Sequence, residues 1–370
     1  MSRKIKCMMA AAGMVLLLMS LTGCNKEAKI KELLEQGDSA YAESRYEEAA
    51  AAYEEILRLN DQKDEIYNNR GMAYLNLQKY DQALSDFSKA IELDGGIDVY
   101  YNNRGLVYYY QEKYDEAIAD FSKAIEMNGS DAGYFSNRGD AYHAKEAYDE
   151  AIHDYDQALT MDPVRMVTVN NRASVYFKQG KYEEAVADYS TAIEKEPQNP
   201  VVYWNRGEAY RMLERYEDAL QDYNQYAKMS TDSALGKEFL FKRAEVYAAM
   251  EEYDLALADY AAAMEEDPED MVLYQGRANI QYRRGAYEEA IADYSKYLQS
   301  EEDAVALGNR GYCYLQLGNL EQALTDLNRC IELKTDYAWA YYTRGQILQK
   351  LERYEEAKND YDKANQMVKK

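Results

Sequence analysis

The chain contains two adjacent stretches that are near copies of each other: residues 64–97, DEIYNNRGMAYLNLQKYDQALSDFSKAIELDGGI, and residues 98–131, DVYYNNRGLVYYYQEKYDEAIADFSKAIEMNGSD. In each copy, apolar residues recur at intervals of three and four in two runs, which predicts two amphipathic helices of about 13 residues each. Numbering the copy 1–34 from Asp98 places Gly105 at position 8 and Ala117 at position 20. Small residues at these positions allow two helices to approach closely, so the unit is predicted to be a helix-turn-helix.

The same unit fills almost the whole chain. Aligning the sequence on position 8 gives ten copies; seven of the nine spacings are 34 residues, and the other two are 37 and 33. Position 20 is alanine in all ten copies. The position 8 residues are Gly37, Gly71, Gly105, Gly139, Ala173, Gly207, Ala244, Ala278, Gly311 and Gly345. A fixed period of this length indicates a stack of supersecondary units.

Tyrosine is unusually frequent, with 39 residues against 6 phenylalanines. Most of the tyrosines occupy positions 4, 11, 17 and 24 of the repeat. These positions face the neighbouring helices, where a ring fills the core and its hydroxyl group reaches an edge. The excess of tyrosine is therefore explained by repeat packing.

The period and the pattern of small and aromatic residues resemble those of the tetratricopeptide repeat family over residues 30–367. The resemblance implies an all-α protein, an α-solenoid in which about ten helix-turn-helix repeats form a right-handed superhelix. It also implies that the first helices line a concave groove, and that each repeat contacts only its neighbours.

The irregular spacings suggest how the chain is divided. The three-residue insertion falls near residues 230–236, and the last repeat has Lys358 and Asn365 where other repeats have apolar residues, so repeat 10 is predicted to cap itself. The predicted regions are a signal peptide at 1–23, a lipid-attachment site and short linker at 24–29, repeats 1–6 at 30–229, a loop at 230–236, and repeats 7–10 at 237–370.

The first 24 residues have the pattern of a targeting signal. Arg3, Lys4 and Lys6 precede an apolar run that ends in Leu-Thr-Gly-Cys24. This ending resembles the bacterial lipobox, which implies that Cys24 receives a diacylglycerol and becomes the first residue of the mature protein. The expected location is a bacterial membrane or envelope, outside the cytoplasm, with membrane contact through this lipid alone.

Arginine at position 7 and aspartate at position 23 occur together in nine repeats, and repeat 1 has Gln36 and Ala52 instead. This co-occurrence predicts a ladder of Arg–Asp pairs that ties adjacent helices, within or across repeats. A basic stripe for an anionic ligand is disfavoured because every arginine has its aspartate. Partly buried pairs of this kind fix register more than they stabilise.

A second polar column is asparagine at position 6, on the concave side that the family resemblance implies. An amide both donates and accepts, which suits the backbone of an extended peptide, although asparagine is also simply common at this position in the family. Aromatic residues accompany it at other groove positions. The predicted peptide-binding residues are Asn69, Asn103, Asn137, Asn171, Asn205, Tyr109, Phe177 and Trp204.

Composition and motifs exclude several other functions. A net charge of −24 argues against nucleic acid as a partner. The two histidines, His143 and His153, lie in no catalytic or metal-binding frame, so no catalytic residue, metal or cofactor is predicted. Cys313 and Cys330 are either buried thiols or a disulfide. The expected function is a membrane-tethered, non-enzymatic scaffold that binds a protein or peptide; the alternatives are a cell-wall glycan binder and an enzyme with an unrecognised site.

Overall fold

The computed structural model describes residues 26–230 and 236–368. The predicted lipidation site Cys24, the signal peptide and most of the predicted loop at 230–236 lie outside the described residues.

The described residues form twenty α-helices and no strands, as the all-α, α-solenoid prediction requires. The helices are α1 (26–42), α2 (Tyr46–Leu59), α3 (Asp64–Asn76), α4 (Tyr80–Leu93), α5 (Asp98–Tyr110), α6 (Tyr114–Met127), α7 (Ala132–Ala144), α8 (Tyr148–Met161), α9 (Met166–Lys178), α10 (Tyr182–Lys195), α11 (Pro200–Met212), α12 (Tyr216–Met229), α13 (Lys237–Ala249), α14 (Tyr253–Glu266), α15 (Met271–Arg284), α16 (Tyr287–Tyr297), α17 (Ala304–Gln316), α18 (Leu320–Leu333), α19 (Ala338–Lys350) and α20 (Tyr354–Val368).

The helices are arranged as ten consecutive pairs, each made of an odd-numbered first helix and an even-numbered second helix. The chain divides into two compact units, the first ending at Glu196 and the second beginning at Pro197. The first unit therefore holds α1–α10, and the second holds α11–α20. The predicted loop at 230–236 falls within the second unit, between α12 and α13.

Each pair is held together by a close approach at position 8. A Cβ atom on Gly105 would lie 2.7 Å from Cε1 of Phe121, the position 24 ring of the same repeat. Phe121 and Ala117 are fully buried between the two helices. The small and aromatic residues that define the repeat thus form its core.

The turn between paired helices requires a left-handed residue at position 15. In repeat 3 this residue is Glu112, with φ 60°, and the next amide, Lys113 N–H, donates to the carbonyl of Tyr108. Three repeats have glycine here, Gly180, Gly285 and Gly318, and the other seven have a residue with a side chain. Hydrogen bonds to the last carbonyls of the first helix end that helix at position 13 in nine repeats, and α15 ends one residue later at Arg284.

The predicted Arg–Asp ladder is confirmed, and we call it the seam. In each of nine repeats, arginine Nε and Nη2 donate to the two carboxylate oxygens of the aspartate on the paired helix, with N–O distances of 2.7–2.8 Å. The pairs are Arg70–Asp86, Arg104–Asp120, Arg138–Asp154, Arg172–Asp188, Arg206–Asp222, Arg243–Asp259, Arg277–Asp293, Arg310–Asp326 and Arg344–Asp360. These aspartates are buried.

The seam also links successive repeats. The third nitrogen of Arg138, Nη1, donates to Ser122 Oγ of the preceding repeat at 2.9 Å, and Arg344 Nη1 donates to Asn328 Oδ1 at 2.8 Å. The hydrogen bonds that Arg104 donates to Asp120 raise the pKa of its guanidinium, which lies 5.8 Å and 6.0 Å from the ring centres of Tyr101 and Tyr108. Tyrosines at positions 4 and 11 therefore also flank a half-buried cation.

Two further predictions concern the second unit. Lys358 and Asn365, the polar residues of repeat 10 at positions that are apolar in other repeats, are exposed on α20. Cys313 and Cys330 are free, buried thiols, and burial raises their pKa values to about 12 and about 11.

Candidate functional site

The first helices of successive repeats contact one another directly, as α3, α5, α7 and α9 do in the first unit and α15, α17 and α19 do in the second. Side chains near positions 5, 6, 9 and 12 join successive first helices, as in Asn103 to Asn68, Asn171 to Asp140 and Asn76 to Tyr41. We call the surface that positions 5, 6, 9 and 12 form within each unit the A-helix face of that unit. All eight predicted peptide-binding residues belong to it.

Two of the predicted asparagines link neighbouring repeats of the first unit. Asn103 Nδ2 donates to Asn68 Oδ1 at 2.9 Å, and Asn137 Nδ2 donates to Asn102 Oδ1 at 2.8 Å. Asn103 is only 6% exposed. In both links the position 6 amide is bonded to position 5 of the preceding repeat.

The remaining asparagines of the column differ from these two. Asn171 Nδ2 donates to Asp140 Oδ1 at 2.8 Å, because position 5 of that preceding repeat is Ser136, which pairs with Thr168. Asn69 accepts a long hydrogen bond from Asn68, and its own Nδ2 has no acceptor among the described residues. Asn205 forms no side-chain hydrogen bond within the described parts of the chain. The structure thus leaves two amides of the column, those of Asn69 and Asn205, able to donate to a ligand.

The three predicted aromatic residues are partly packed into the repeats. Tyr109 lies 5.8 Å from Tyr114, and Phe177 lies 5.3 Å from Tyr182, measured between ring centres. Trp204 lies within 6 Å of the rings of Tyr223, Tyr226 and Phe239, in the core of the second unit. All three side chains are half-buried, so each keeps part of its surface open to a ligand.

Position 9 is a second polar column that the sequence reasoning did not single out. In five repeats its side chain forms a hydrogen bond with the hydroxyl group of the tyrosine at position 24, as in Tyr53 to Asp38 at 2.8 Å and Tyr155 to Asp140 at 2.7 Å. Where position 24 is Phe87 or Phe121, position 9 is Met72 or Leu106. The choice between tyrosine and phenylalanine at position 24 was the signal that could have revealed this column.

Asp140 and Asp38 occupy equivalent positions in different surroundings. Asp140 lies beneath Tyr155 and Asn171, and burial raises the pKa of its carboxyl group against the opposing effect of these two hydrogen bonds. The neighbouring His143 has a lowered pKa because burial and the charge of Lys178 both disfavour its protonated form. Asp38 is exposed and forms no ion pair with a described residue.

The A-helix face of the second unit is more highly charged. Arg211 donates to both oxygens of Glu208, at 3.2 Å from Nε and 3.0 Å from Nη2. Glu245 lies 3.7 Å from Arg211 and 3.7 Å from Lys242. A cavity of about 330 Å³ adjoins Glu245 and includes Arg283 in its lining.

Exposed apolar side chains border the face in both units. Val99 and Val167 in the first unit are exposed, as are Val201 and Val272 in the second, all at position 2 of their repeats. Tyr110 is 55% exposed and stacks on Tyr80 with 6.1 Å between ring centres. An apolar border beside unpaired amides is typical of surfaces that bind other proteins.

Residues 26–230 and 236–368 contain no group of three or more histidine, cysteine, aspartate or glutamate side chains that could hold a metal ion. In the same residues, each helix is too short or too polar to cross a membrane.

The fold and its face define the chain as an α-solenoid repeat protein. Four family models, all described as TPR or tetratricopeptide repeats, match residues 65–96, 99–131, 132–163, 173–213, 241–304, 311–352 and 340–367. Together these matches cover more than half of the chain, and the matching models describe repeats alone. The chain belongs to the tetratricopeptide repeat family.

Curated relatives match only part of the chain. Human tetratricopeptide repeat protein 13 is 42% identical over 89 residues, which are 22% of this chain and 10% of that protein. The Hsp70-Hsp90 organizing protein of Triticum aestivum is 30% identical over 86 residues, or 23% of this chain and 15% of that protein. The chain therefore spans about a sixth or less of these relatives' length.

Solved structures show the same fold. A tetratricopeptide repeat protein from Parabacteroides merdae matches with a TM-score of 0.50 and 18% identity, over 69% of this chain and 99% of that one. PilF of Pseudomonas aeruginosa matches with a TM-score of 0.51 and 19% identity, over 60% of this chain and 98% of that one.

Proposed function

We propose that this chain is a scaffold held at a bacterial membrane surface by a lipid on Cys24, and that it binds an extended or helical segment of a partner protein along its A-helix face. Tetratricopeptide repeats mediate protein–protein interactions, and the wheat relative is named as an organizing protein for two chaperones. The lipid on Cys24 would place this general role at a membrane, and the A-helix face would be the surface that binds the partner.

The observation that supports the binding surface is the contrast in hydrogen bonding across the molecule. In the seam, each of the nine carboxylates has a bidentate arginine partner. On the A-helix face, the amides of Asn69 and Asn205 have unused donors, and exposed Val201 lies four residues before Asn205. Unused hydrogen-bonding capacity beside apolar surface is available to a peptide main chain.

Site-specific photo-crosslinking in native cells tests the surface. A photoreactive amino acid at Val99 or Val167, which border the A-helix face of the first unit, is expected to capture a defined protein, whereas the same group at exposed Glu126 of the second helix α6 is not. The captured protein is then identified, and a synthetic segment covering its crosslinked residue is titrated against the full chain.

Alanine variants test whether the amides contribute to binding of the crosslinked segment. Asn69→Ala, in the first unit, and Asn205→Ala, in the second unit, are tested separately, and the variant in the unit that binds the segment is expected to weaken binding about tenfold, the effect of losing one hydrogen bond to a peptide. Asn365→Ala, which changes an exposed asparagine on α20, is the matched control. Equal binding by all three variants would contradict the role of the amides, and crosslinks at Glu126 as strong as at Val167 would contradict the choice of surface.

The membrane attachment has its own test. Cells given an alkynyl fatty acid are expected to label the wild-type protein at Cys24 and to leave a Cys24→Ser variant unlabelled and released from the membrane fraction. An unlabelled wild-type protein would show that the lipid proposal is wrong and would leave the binding surface unaffected.

A further inference from the structure

The A-helix face contains an open niche between repeats 1 and 2. Its cavity of about 320 Å³ is lined by Asp38, Tyr41, Tyr53, Asn69 and Met72. In repeat numbering these are positions 9, 12 and 24 of one repeat and positions 6 and 9 of the next. The niche is large enough for one long side chain of a bound segment and too small for a folded element.

The lining combines apolar walls with an unneutralised carboxylate. Tyr53 donates its hydroxyl hydrogen to Asp38 Oδ1 at 2.8 Å, which leaves Oδ2 without a hydrogen bond among the described residues. No described cation pairs with Asp38. Met72 and the ring of Tyr41 supply apolar surface, and Tyr41 accepts a hydrogen bond from Asn76 at its oxygen.

In the second unit, the equivalent pair of carboxylate and tyrosine binds a cationic side chain of the protein itself. In repeat 6, position 9 is Glu208, and the tyrosine at position 24, Tyr223, donates to it. Position 12 of that repeat is Arg211, whose guanidinium donates to both oxygens of Glu208. In repeat 1, position 12 is Tyr41, so the carboxylate and its supporting tyrosine are present and the cation is missing.

In repeat 4, the equivalent carboxylate is hydrogen-bonded by an amide instead of a guanidinium. Its position 9 residue, Asp140, accepts hydrogen bonds from Tyr155 and Asn171. In repeat 2 the residue equivalent to Asn171 is Asn69, and it makes no such bond to Asp38. The niche of repeat 1 is therefore neither filled by a guanidinium nor closed by an amide.

We propose that the niche at Asp38 binds the side chain of an arginine or lysine from the partner segment. The aliphatic stem would lie against Met72 and Tyr41, and the cationic group would donate to Asp38. A charge-assisted hydrogen bond of this kind is stronger than one between neutral groups. The net charge of −24 also favours a basic partner by electrostatic attraction at long range. The inference rests on the proposed function, since it specifies a side chain of the segment that the A-helix face would bind.

A peptide-display selection on the full chain tests it. A random 12-residue library is selected against the wild type, Asp38→Asn and Asp362→Asn. The first variant keeps an oxygen for the Tyr53 hydroxyl and removes the charge of the niche; the second removes one charge from an exposed aspartate of α20. We expect a single arginine or lysine position to be enriched at least fivefold over the naive library with the wild type and Asp362→Asn, and not with Asp38→Asn.

The affinity of a selected peptide gives a second readout. Replacing its enriched arginine by citrulline, a neutral isostere, is expected to weaken binding to the wild type about tenfold and to leave binding to Asp38→Asn unchanged. Equal thermal unfolding midpoints of the three proteins establish that the variants are folded.

The possible failures are distinguishable. If peptides are selected but basic residues are absent, or are enriched equally with Asp38→Asn, the niche does not bind a cation while the peptide-binding function stands. If basic residues are enriched equally by all three proteins, the cause is the acidic surface as a whole, and the inference is wrong. If no peptide is retained by any protein, both the inference and the proposed peptide binding fail.

Discussion

The seam and the A-helix face are both lined by polar columns that recur from repeat to repeat, but they use these columns differently. In the seam, the same arginine meets the same aspartate with the same two hydrogen bonds in nine repeats. On the A-helix face, the recurring asparagine donates to another asparagine, to an aspartate, or to no described acceptor.

This difference distinguishes repeated residues that hold the helices together from repeated residues whose surroundings change between repeats. A residue that recurs together with its partner is held by that partner, and its function is to align the helices. A residue that recurs while its partner changes has its hydrogen-bonding groups paired in some repeats and unpaired in others. The unsatisfied ones, such as Asn69, mark the part of the face that a ligand can complete.

The largest expected effect comes from breaking one pair of the seam. Asp154→Ala leaves the guanidinium of Arg138, whose side chain is only 19% exposed, without its carboxylate, which is expected to cost about 3–5 kcal/mol in the free energy of unfolding. The measurement is urea unfolding followed by circular dichroism. Asp115→Ala, which removes an exposed partner of Lys145, is the control and is expected to change the free energy by less than about 1 kcal/mol. Similar losses in the two variants would show that the seam contributes no more than a surface ion pair.

A smaller effect is expected from exchanging the residue types at position 24. Phe121→Tyr would place a hydroxyl group beside Leu106, whose side chain cannot accept a hydrogen bond, at a cost of about 1–3 kcal/mol. Adding Leu106→Asp supplies the acceptor that Asp140 gives Tyr155, and is expected to restore part of the loss. If the double variant is less stable than Phe121→Tyr alone, the link between positions 9 and 24 is not a pairing rule.

The sequence was sufficient for the repeat, the helix pairs and the seam, because their information recurs at fixed offsets. Arg104 and Asp120 are sixteen residues apart, as are all nine pairs, so counting along the chain reveals the partnership. Gly105 and Phe121 are likewise separated by the same interval in the repeats that contain them.

The state of each asparagine could not be obtained in this way. Asn69 and Asn103 have identical sequence neighbours, Asn-Asn-Arg-Gly, yet one amide is free and the other is buried. The difference arises from position 5 of the preceding repeat, which is Leu34 before Asn69 and Asn68 before Asn103. Identifying that partner requires the register between neighbouring repeats, and the sequence period alone does not specify it.

Alanine substitution of these two asparagines compares the contributions of two residues of the same column to the free energy of unfolding. Asn103→Ala removes the donor to Asn68 and the acceptor for Asn102, so it is expected to cost about 1–2 kcal/mol. Asn69→Ala removes only a long, half-exposed contact and is expected to change the free energy of unfolding by less than about 0.5 kcal/mol. The same urea unfolding measurement compares them, and equal costs would mean that the two amides have equivalent roles in the structure.

The smallest expected effect is a change in pH dependence at Asp140. Burial raises the pKa of this carboxyl group in the folded protein, so the folded state holds its proton at pH values where the unfolded state, with a pKa of about 3.9, has lost it. Between these two pKa values, folding is accompanied by uptake of a proton at Asp140. The contribution of Asp140 to the free energy of unfolding therefore falls as the pH rises from about 4 to the raised pKa. Asp140→Asn keeps an oxygen for Tyr155 and Asn171 and removes the titration. The difference in unfolding midpoint, variant minus wild type, is therefore expected to increase between pH 4 and pH 7, because the other carboxylates are common to both proteins. A difference that stays constant across that range would contradict the raised pKa and would place Asp140 among the well-solvated carboxylates of the surface.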